Sequence, residues 1–198
     1  MSWDRSEVMN RRTGVLGLFD KLRYKEIYRQ VIGLLLVLVC ALCAEPGHER
    51  VLVGFLIAAA GQLFRVFAAG TIFKNQQLAS NGAYSIVRHP LYLGNILILG
   101  GFSLAAGNIC VAGVILLFFL IWYPAAIRYE DAKLERIFGD AWRDWSRGTN
   151  AVLPNRIQWA RLTDTQWKAR QSLFRNGEFP ISVYLLACAA WLWFKTHS

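Results

Sequence analysis

Asn81-Gly82-Ala83-Tyr84-Ser85-Ile86-Val87-Arg88-His89-Pro90-Leu91-Tyr92-Leu93-Gly94 carries a polar turn with a cationic pair straight into an apolar run. Asn-Gly is a turn signal, and Pro90 suits the first turn of a helix, where its missing N–H leaves no bond unmade. The run from Leu91 to about Gly107 is almost wholly apolar, which predicts a membrane-crossing helix that starts at the water–lipid boundary. Arg88 and His89 then lie beside exposed backbone N–H groups, an end suited to an anion. The plainer alternative is a pair of interfacial cations flanking a span.

Gly107-Asn108 makes a very tight hairpin into a second apolar run, Ile109 to about Ala126, so these spans are antiparallel neighbours. Pro124 is expected to kink or loosen the second of them near its end, close in depth to the opening turn. Upstream, Val51 to Phe73 reads as another span, in which Gly54, Ala58, Gln62, Arg65 and Ala69 recur at three- and four-residue steps and share one face. Small residues permit close helix approach, and Gln62 and Arg65 should face protein or a wet cavity; snorkelling of Arg65 to the nearer surface is the alternative. Val31 to Ala44, closed by Glu45-Pro46-Gly47, is the first span, and Phe179 to Phe194 the last.

Between the spans the pattern is amphipathic. Val15, Leu18, Phe19 and Leu22 share a helical face beside Lys21, Arg23, Lys25 and Arg29, which predicts a helix on an anionic leaflet. Ile127, Leu134, Ile137, Phe138, Trp142 and Trp145 form a second apolar stripe, and a third helix is predicted from Asp164, a good N-cap, to Arg175, with Trp159, Trp167 and Phe174 in the headgroups.

These readings define an all-α integral membrane protein of about five transmembrane helices, with amphipathic interfacial helices on the cytosolic side. It divides into an amphipathic segment 1–30, a membrane-embedded core 31–154, and a region 155–198 holding an interfacial helix and the last span. Bulk composition agrees, since 55% of the 198 residues are hydrophobic. The formal net charge of +9 would suggest nucleic acid in a soluble protein, but here the cations gather in the segments between spans, where positive-inside orientation explains them without a nucleic-acid partner. Met1 to Arg12 carries Asp4 and Glu7 and leads into no short apolar core, so no removable signal peptide is expected. Cys40, Cys43, Cys110 and Cys188 all fall in apolar runs, and Cys40 and Cys43 read as small apolar residues rather than a redox or metal pair.

Two polar clusters stand out, the opening motif and Arg128-Tyr129-Glu130-Asp131, and the helical hairpin between them brings them together. Tyr84, Arg88, His89 and Tyr92 facing Glu130 and Asp131 would enclose a ligand that carries both an anion and a cation, with aromatic faces that tolerate a sulfonium. Taken singly, Glu130-Asp131 is a solvated patch and His89 a helix cap.

The residues from Gly82 to Gly94 resemble the G-x-Y-x-x-x-R-H-P-x-Y-x-G signature of the isoprenylcysteine carboxyl methyltransferase family, which is related to the phospholipid N-methyltransferases. Glu130-Asp131-x-x-Leu134-x-x-x-Phe138-Gly139-x-x-Trp142-x-x-Trp145 is similar to that family's E-E-x-x-L-x-x-x-F-G-x-x-Y-x-x-Y block, and Gly61-x-x-x-Arg65 to the G-x-x-x-R before the signature. The likeness covers about Gly61 to Pro154. It implies an S-adenosylmethionine site formed by Gln77, Leu78, Tyr84, Arg88, His89, Pro90, Leu91, Tyr92 and Glu130, entered from the cytosol, with a lipid-like acceptor arriving from the bilayer and no metal. Here the second Glu is Asp131, both block tyrosines are tryptophan, and an Arg four residues before the first Glu is Ala126, with Arg128 the nearest replacement. Arg65, on the face of Gln62, is expected on the substrate side, so Arg65 and Arg128 are the candidate catalytic residues.

The implied reaction is methyl transfer to a lipid-like acceptor in the cytoplasmic membrane of a prokaryote or the endoplasmic reticulum of a eukaryote, active site toward the cytosol. O-methylation of an isoprenylcysteine-like or isoprenoid carboxylate is favoured, and N-methylation of a phospholipid or other amine is the alternative. A nicotinamide-dependent membrane reductase and a non-catalytic membrane adaptor are further alternatives; the reductase would need more cations for a pyrophosphate than Lys74, Arg88 and His89.

Overall fold

The computed structural model describes residues 26–72 and 77–197. The amphipathic helix expected over 15–28 therefore lies largely outside the described residues, as does Lys74. Among the described residues the fold is all helical: α1 (Glu26–Leu42), α2 (His48–Thr71), a 3₁₀ turn (Gly82–Ser85), α3 (Pro90–Ala106), α4 (Ile109–Phe138), α5 (Asp140–Arg147), α6 (Trp159–Thr163), a π turn (Gln171–Arg175) and α7 (Glu178–Lys195). By length and composition α2 and α4 can cross a membrane, and α1 and α3 are shorter apolar helices. Large apolar side chains such as Leu56, Leu63, Leu116, Leu120 and Leu186 lie on the outer surface rather than in the core, as lipid-facing residues would.

The central contact is between α2 and α3, which run antiparallel with their backbones almost touching. Gly54 and Gly101 each stand where any Cβ would strike the other's carbonyl, and a Cβ on Gly61 would lie 2.8 Å from the Gly94 carbonyl oxygen. Small residues on both faces let the helices approach until packing and weak Cα–H contacts hold them. The expected hairpin is present: Gly107 takes the left-handed conformation (φ 66°), and the Asn108 side chain caps α4 through the Cys110 and Val111 amides at 3.0 and 3.2 Å.

Two expectations are corrected. The helix beginning at Ile109 runs through Pro124 to Phe138 as one 30-residue element, so the stripe around Leu134 continues the same helix past its apolar part and breaks only at Gly139 (φ 55°). Of the helix predicted for Asp164–Arg175 only the last part forms: 164–168 are irregular, and helical backbone begins at Ala169 and passes into the π turn. The reason lies in the end of α2, whose last carbonyls need donors. Val66 O receives the Trp167 indole N–H at 3.1 Å and the Ser172 hydroxyl at 2.7 Å, Ala69 O the Asn176 amide at 2.7 Å, Gly70 O the Lys168 backbone N–H at 3.1 Å, and Ile72 O the Gln171 amide at 3.1 Å. Those long-range bonds outweigh local helix preference, and they turn Trp167 onto α2 instead of leaving it free as a headgroup anchor.

Widening the seam should cost more than any propensity change. Gly54→Val is expected to destabilise the fold by about 1–3 kcal/mol through overpacking, whereas Gly100→Ala, where an added Cβ meets nothing within 4 Å, should be neutral or slightly stabilising. Thermal unfolding of both variants in detergent checks this.

Candidate active site

The site lies at the end of the bundle where α1, α3 and α7 begin and α2 and α4 finish. Gln77, Leu78, Tyr84, Arg88, His89, Pro90, Leu91, Tyr92, Glu130 and Arg65 all line one cavity there, joined by Arg29, Asn95, Trp145 and Glu178. Arg128 does not. It is exposed and absent from the lining, because two residues along a helix turn a side chain about 200° from Glu130.

Glu130 and Asp131 are neighbours with different partners. Asp131 accepts from Arg88 Nη2 at 2.9 Å and from His89 Nε2 at 2.9 Å, and an ionised carboxylate only accepts, so Nε2 carries the proton. Arg88 also donates to the carbonyls of Ser146 at 3.2 Å and Thr149 at 2.7 Å, and its guanidinium lies 5.9 Å from the Trp142 ring. The backbone N–H groups of Arg88 and His89 bond the carbonyls of Asn150 and Ala151 at 2.8 and 2.9 Å. The expected anion site at the start of α3 is thereby corrected: backbone carbonyls take the amides and a carboxylate takes the cations. Asp131 lies beyond the apolar part of α4. Burial raises its pKa, but the bonds from His89 and Arg88 and their charge outweigh that and hold it below the ordinary carboxylate value.

Glu130 is left facing the cavity. Its Oε2 accepts the Tyr92 hydroxyl at 2.6 Å, and His89 Nδ1 is 3.7 Å away, while 45% of its side chain stays accessible. The His89 and Tyr92 rings stack at 5.2 Å. Trp145 lines the same cavity, is 8% exposed, and its indole N–H has no hydrogen-bond partner among the described residues.

A second ion pair closes the opposite wall. Arg65 meets Glu178 in a fork, Nη2 to Oε1 at 2.7 Å and Nε to Oε2 at 3.2 Å, and also bonds Asn95; the Gln62 amide donates to Glu178 Oε2 at 3.1 Å and to Ser182 Oγ at 2.9 Å. The stem of Arg65 crosses α3 at Gly94, where a Cβ would collide with it. Arg65 thus faces protein and the cavity, as one of the two sequence readings holds, but its charge is already neutralised. Glu178 and Arg29 escape motif reading. The available signal for Glu178 is an acid opening an apolar span, which needs a cation, and Arg65 is a cation inside one.

A bundle that is all helical among the described residues, with two helices long and apolar enough to cross a membrane and a cavity of mixed charge at one end, is the class that fold and site define. Residues 49–141 match the family model described as phospholipid methyltransferase. That segment, a little under half of the chain, is similar to the phospholipid methyltransferase family. It is 34% identical over 127 residues to the cobalt-zinc-cadmium resistance protein CzcN of Cupriavidus metallidurans, covering 64% of this chain and 56% of that one. It is 35% identical over 104 residues to the nickel-cobalt-cadmium resistance protein NccN of Alcaligenes xylosoxydans xylosoxydans, covering 52% and 47%. Over 97 residues it is 29% identical to the protein-S-isoprenylcysteine O-methyltransferase of Schizosaccharomyces pombe, covering 48% and 40%. The chain thus spans about half the length of the curated relatives it matches. No solved structure shows a significant match.

Two outcomes follow from these partners. Arg65→Met leaves Glu178 buried and unpaired and should destabilise the protein by about 3–5 kcal/mol, with the double variant Arg65→Met, Glu178→Met recovering most of it; detergent unfolding of the three proteins reads the difference. The depressed Asp131 pKa means its contribution is complete above the unfolded-state value and is lost as pH falls through the folded value. The gap in stability between the wild type and Asp131→Asn, about 1–3 kcal/mol at pH 7, should therefore close on acidification below the ordinary carboxylate range.

Proposed function

We propose that this protein is a membrane-embedded, S-adenosylmethionine-dependent methyltransferase acting on a lipid-like acceptor, with O-methylation of an isoprenylcysteine-like or isoprenoid carboxylate favoured over N-methylation of a phospholipid or other amine. The observation that carries the reading is the division of labour between two adjacent carboxylates. Asp131 is committed to Arg88 and His89, and Glu130 is presented to the cavity by the Tyr92 hydroxyl.

The residues present suit the cofactor. Glu130 would take its ammonium, the ring of Tyr84 would lie against a sulfonium, and the Trp145 N–H, which has no partner among the described residues, offers a donor to a ligand oxygen or ring nitrogen. When bound, S-adenosylmethionine supplies an electrophilic methyl group for in-line transfer. What the chain contributes is alignment and exclusion of water: Tyr92 fixes Glu130, Asp131 fixes the start of α3, and the α2–α3 seam fixes the wall opposite. A carboxylate acceptor is already ionised at neutral pH and needs no base. An amine acceptor needs one, and the nearby candidates are already engaged: Glu130 accepts the Tyr92 hydroxyl, Asp131 is held by Arg88 and His89, and His89 commits Nε2 to Asp131. This contrast, together with the likeness to the fission-yeast enzyme, favours O-methylation.

In this reading α1, α2, α3, the first part of α4 and α7 cross the membrane. The cavity end is assigned to the cytosol because Arg88 and the basic segment 127–178 gather there. Cofactor enters from water and acceptor from the bilayer, in the cytoplasmic membrane of a prokaryote or the endoplasmic reticulum of a eukaryote.

Glu130→Gln should weaken S-adenosylmethionine binding by about 10–100-fold, the loss of one charge-assisted bond, without lowering the unfolding temperature. Titration calorimetry in detergent measures it, and an unchanged affinity would defeat this assignment of the site.

A further inference from the structure

The cations that line the cavity are not equally provided for. Arg65 has Glu178 at 2.7 Å and Arg88 has Asp131 at 2.9 Å. Lys133 is part-exposed, so water can solvate it. Arg29 of α1 is 8% exposed, lines the cavity, and holds its guanidinium 4.4 Å over the Tyr92 ring. Among the described residues no carboxylate lies within ion-pairing distance of it. An aromatic face attracts a cation but does not neutralise it, and a buried charge without a counter-ion is costly. An anion arriving from outside the described chain would remove that cost.

We infer that Arg29 receives the carboxylate of the methyl acceptor, an inference that rests on the reading of this cavity as a methyltransferase site. Tyr92 then stands between the two charges of the reaction. Its hydroxyl holds Glu130, which would take the cofactor ammonium, and its ring face carries Arg29. A carboxylate oxygen attacks the methyl carbon, the carbon–sulfur bond breaks with its electron pair going to sulfur, and the sulfonium charge disappears. The acceptor becomes a neutral ester and no proton moves. That ester no longer neutralises Arg29, so the same side chain that captures the acid favours release of the product. Arg29 is on this account a substrate-binding residue that selects acids over neutral lipids.

The test compares N-acetyl-S-farnesylcysteine with its methyl ester, each binding to the full chain in detergent without cofactor, for wild type, Arg29→Gln and Arg29→Lys. Wild type should bind the acid at least about tenfold more tightly than the ester, the affinity of one charge-assisted bond. Arg29→Gln should bind both equally at the ester's wild-type affinity, and Arg29→Lys should keep part of the preference. Equal binding of acid and ester by wild type would overturn the inference, as would an Arg29→Gln that weakens both alike or an acid preference that survives in it. Displacement of the acid by phosphatidylethanolamine, lost in Arg29→Gln, would assign the position to a phospholipid phosphate and overturn the carboxylate assignment. S-adenosylmethionine affinity is measured alongside. Its absence from wild type would defeat the methyltransferase reading itself, whereas normal cofactor affinity with no acid preference would defeat only the role of Arg29.

Discussion

Asp131 holds three parts of the chain at one point. Through Arg88 and His89 it ties the end of α4 to the start of α3, and Arg88 carries the tie on to the carbonyls of Ser146 in the last turn of α5 and Thr149 just beyond it. The backbone pairing of Arg88 and His89 with Asn150 and Ala151 then closes the strap. Everything that faces the cavity from α3 and α4 takes its position from this clamp, Glu130 first among them. One residue along a helix is about 100° of rotation, which is why adjacent carboxylates can face the scaffold and the cavity separately.

The opposite wall depends on a different constraint. Glycine contacts bring α2 and α3 together, and Arg65 crosses α3 over Gly94 to reach Glu178 at the first turn of α7. The same region of α2 ends in carbonyls that bond the segment from Trp167 to Asn176, so this segment and α7 are held by the helix they cover. A buried fork of this kind adds little net stability over an apolar pair, but it is expensive to break on one side, which confines α7 to one register.

Much of this was legible in the sequence. Uncharged runs marked the helices, Gly107-Asn108 marked the hairpin, and the hairpin required the opening motif to meet Glu130 and Asp131. Less legible was which of the two acids does what, because that depends on helical phase against α3 and not on residue type. Arg128 suits the site by its position in the sequence, and helical phase turns it out of the cavity lining. The Asp164 N-cap signal was real in local terms, yet Asp164 instead accepts from Asn81 at 3.1 Å while the following residues dock on α2. Arg29 and Glu178 lie outside every motif, and only the packing of α1 and α7 on the core brings them to the cavity.

The account makes the cavity a place where one cation-binding carboxylate and one arginine with no carboxylate partner among the described residues flank a single tyrosine, a charge pattern suited to moving a methyl group from a sulfonium to an acid. The most direct measurement is to incubate the purified protein with methyl-labelled S-adenosylmethionine and a total membrane-lipid extract, then treat the labelled lipid with mild alkali. The account predicts label in the lipid fraction that alkali releases as methanol, the mark of a carboxyl ester. Label that survives alkali, or no label in lipid at all, would contradict it.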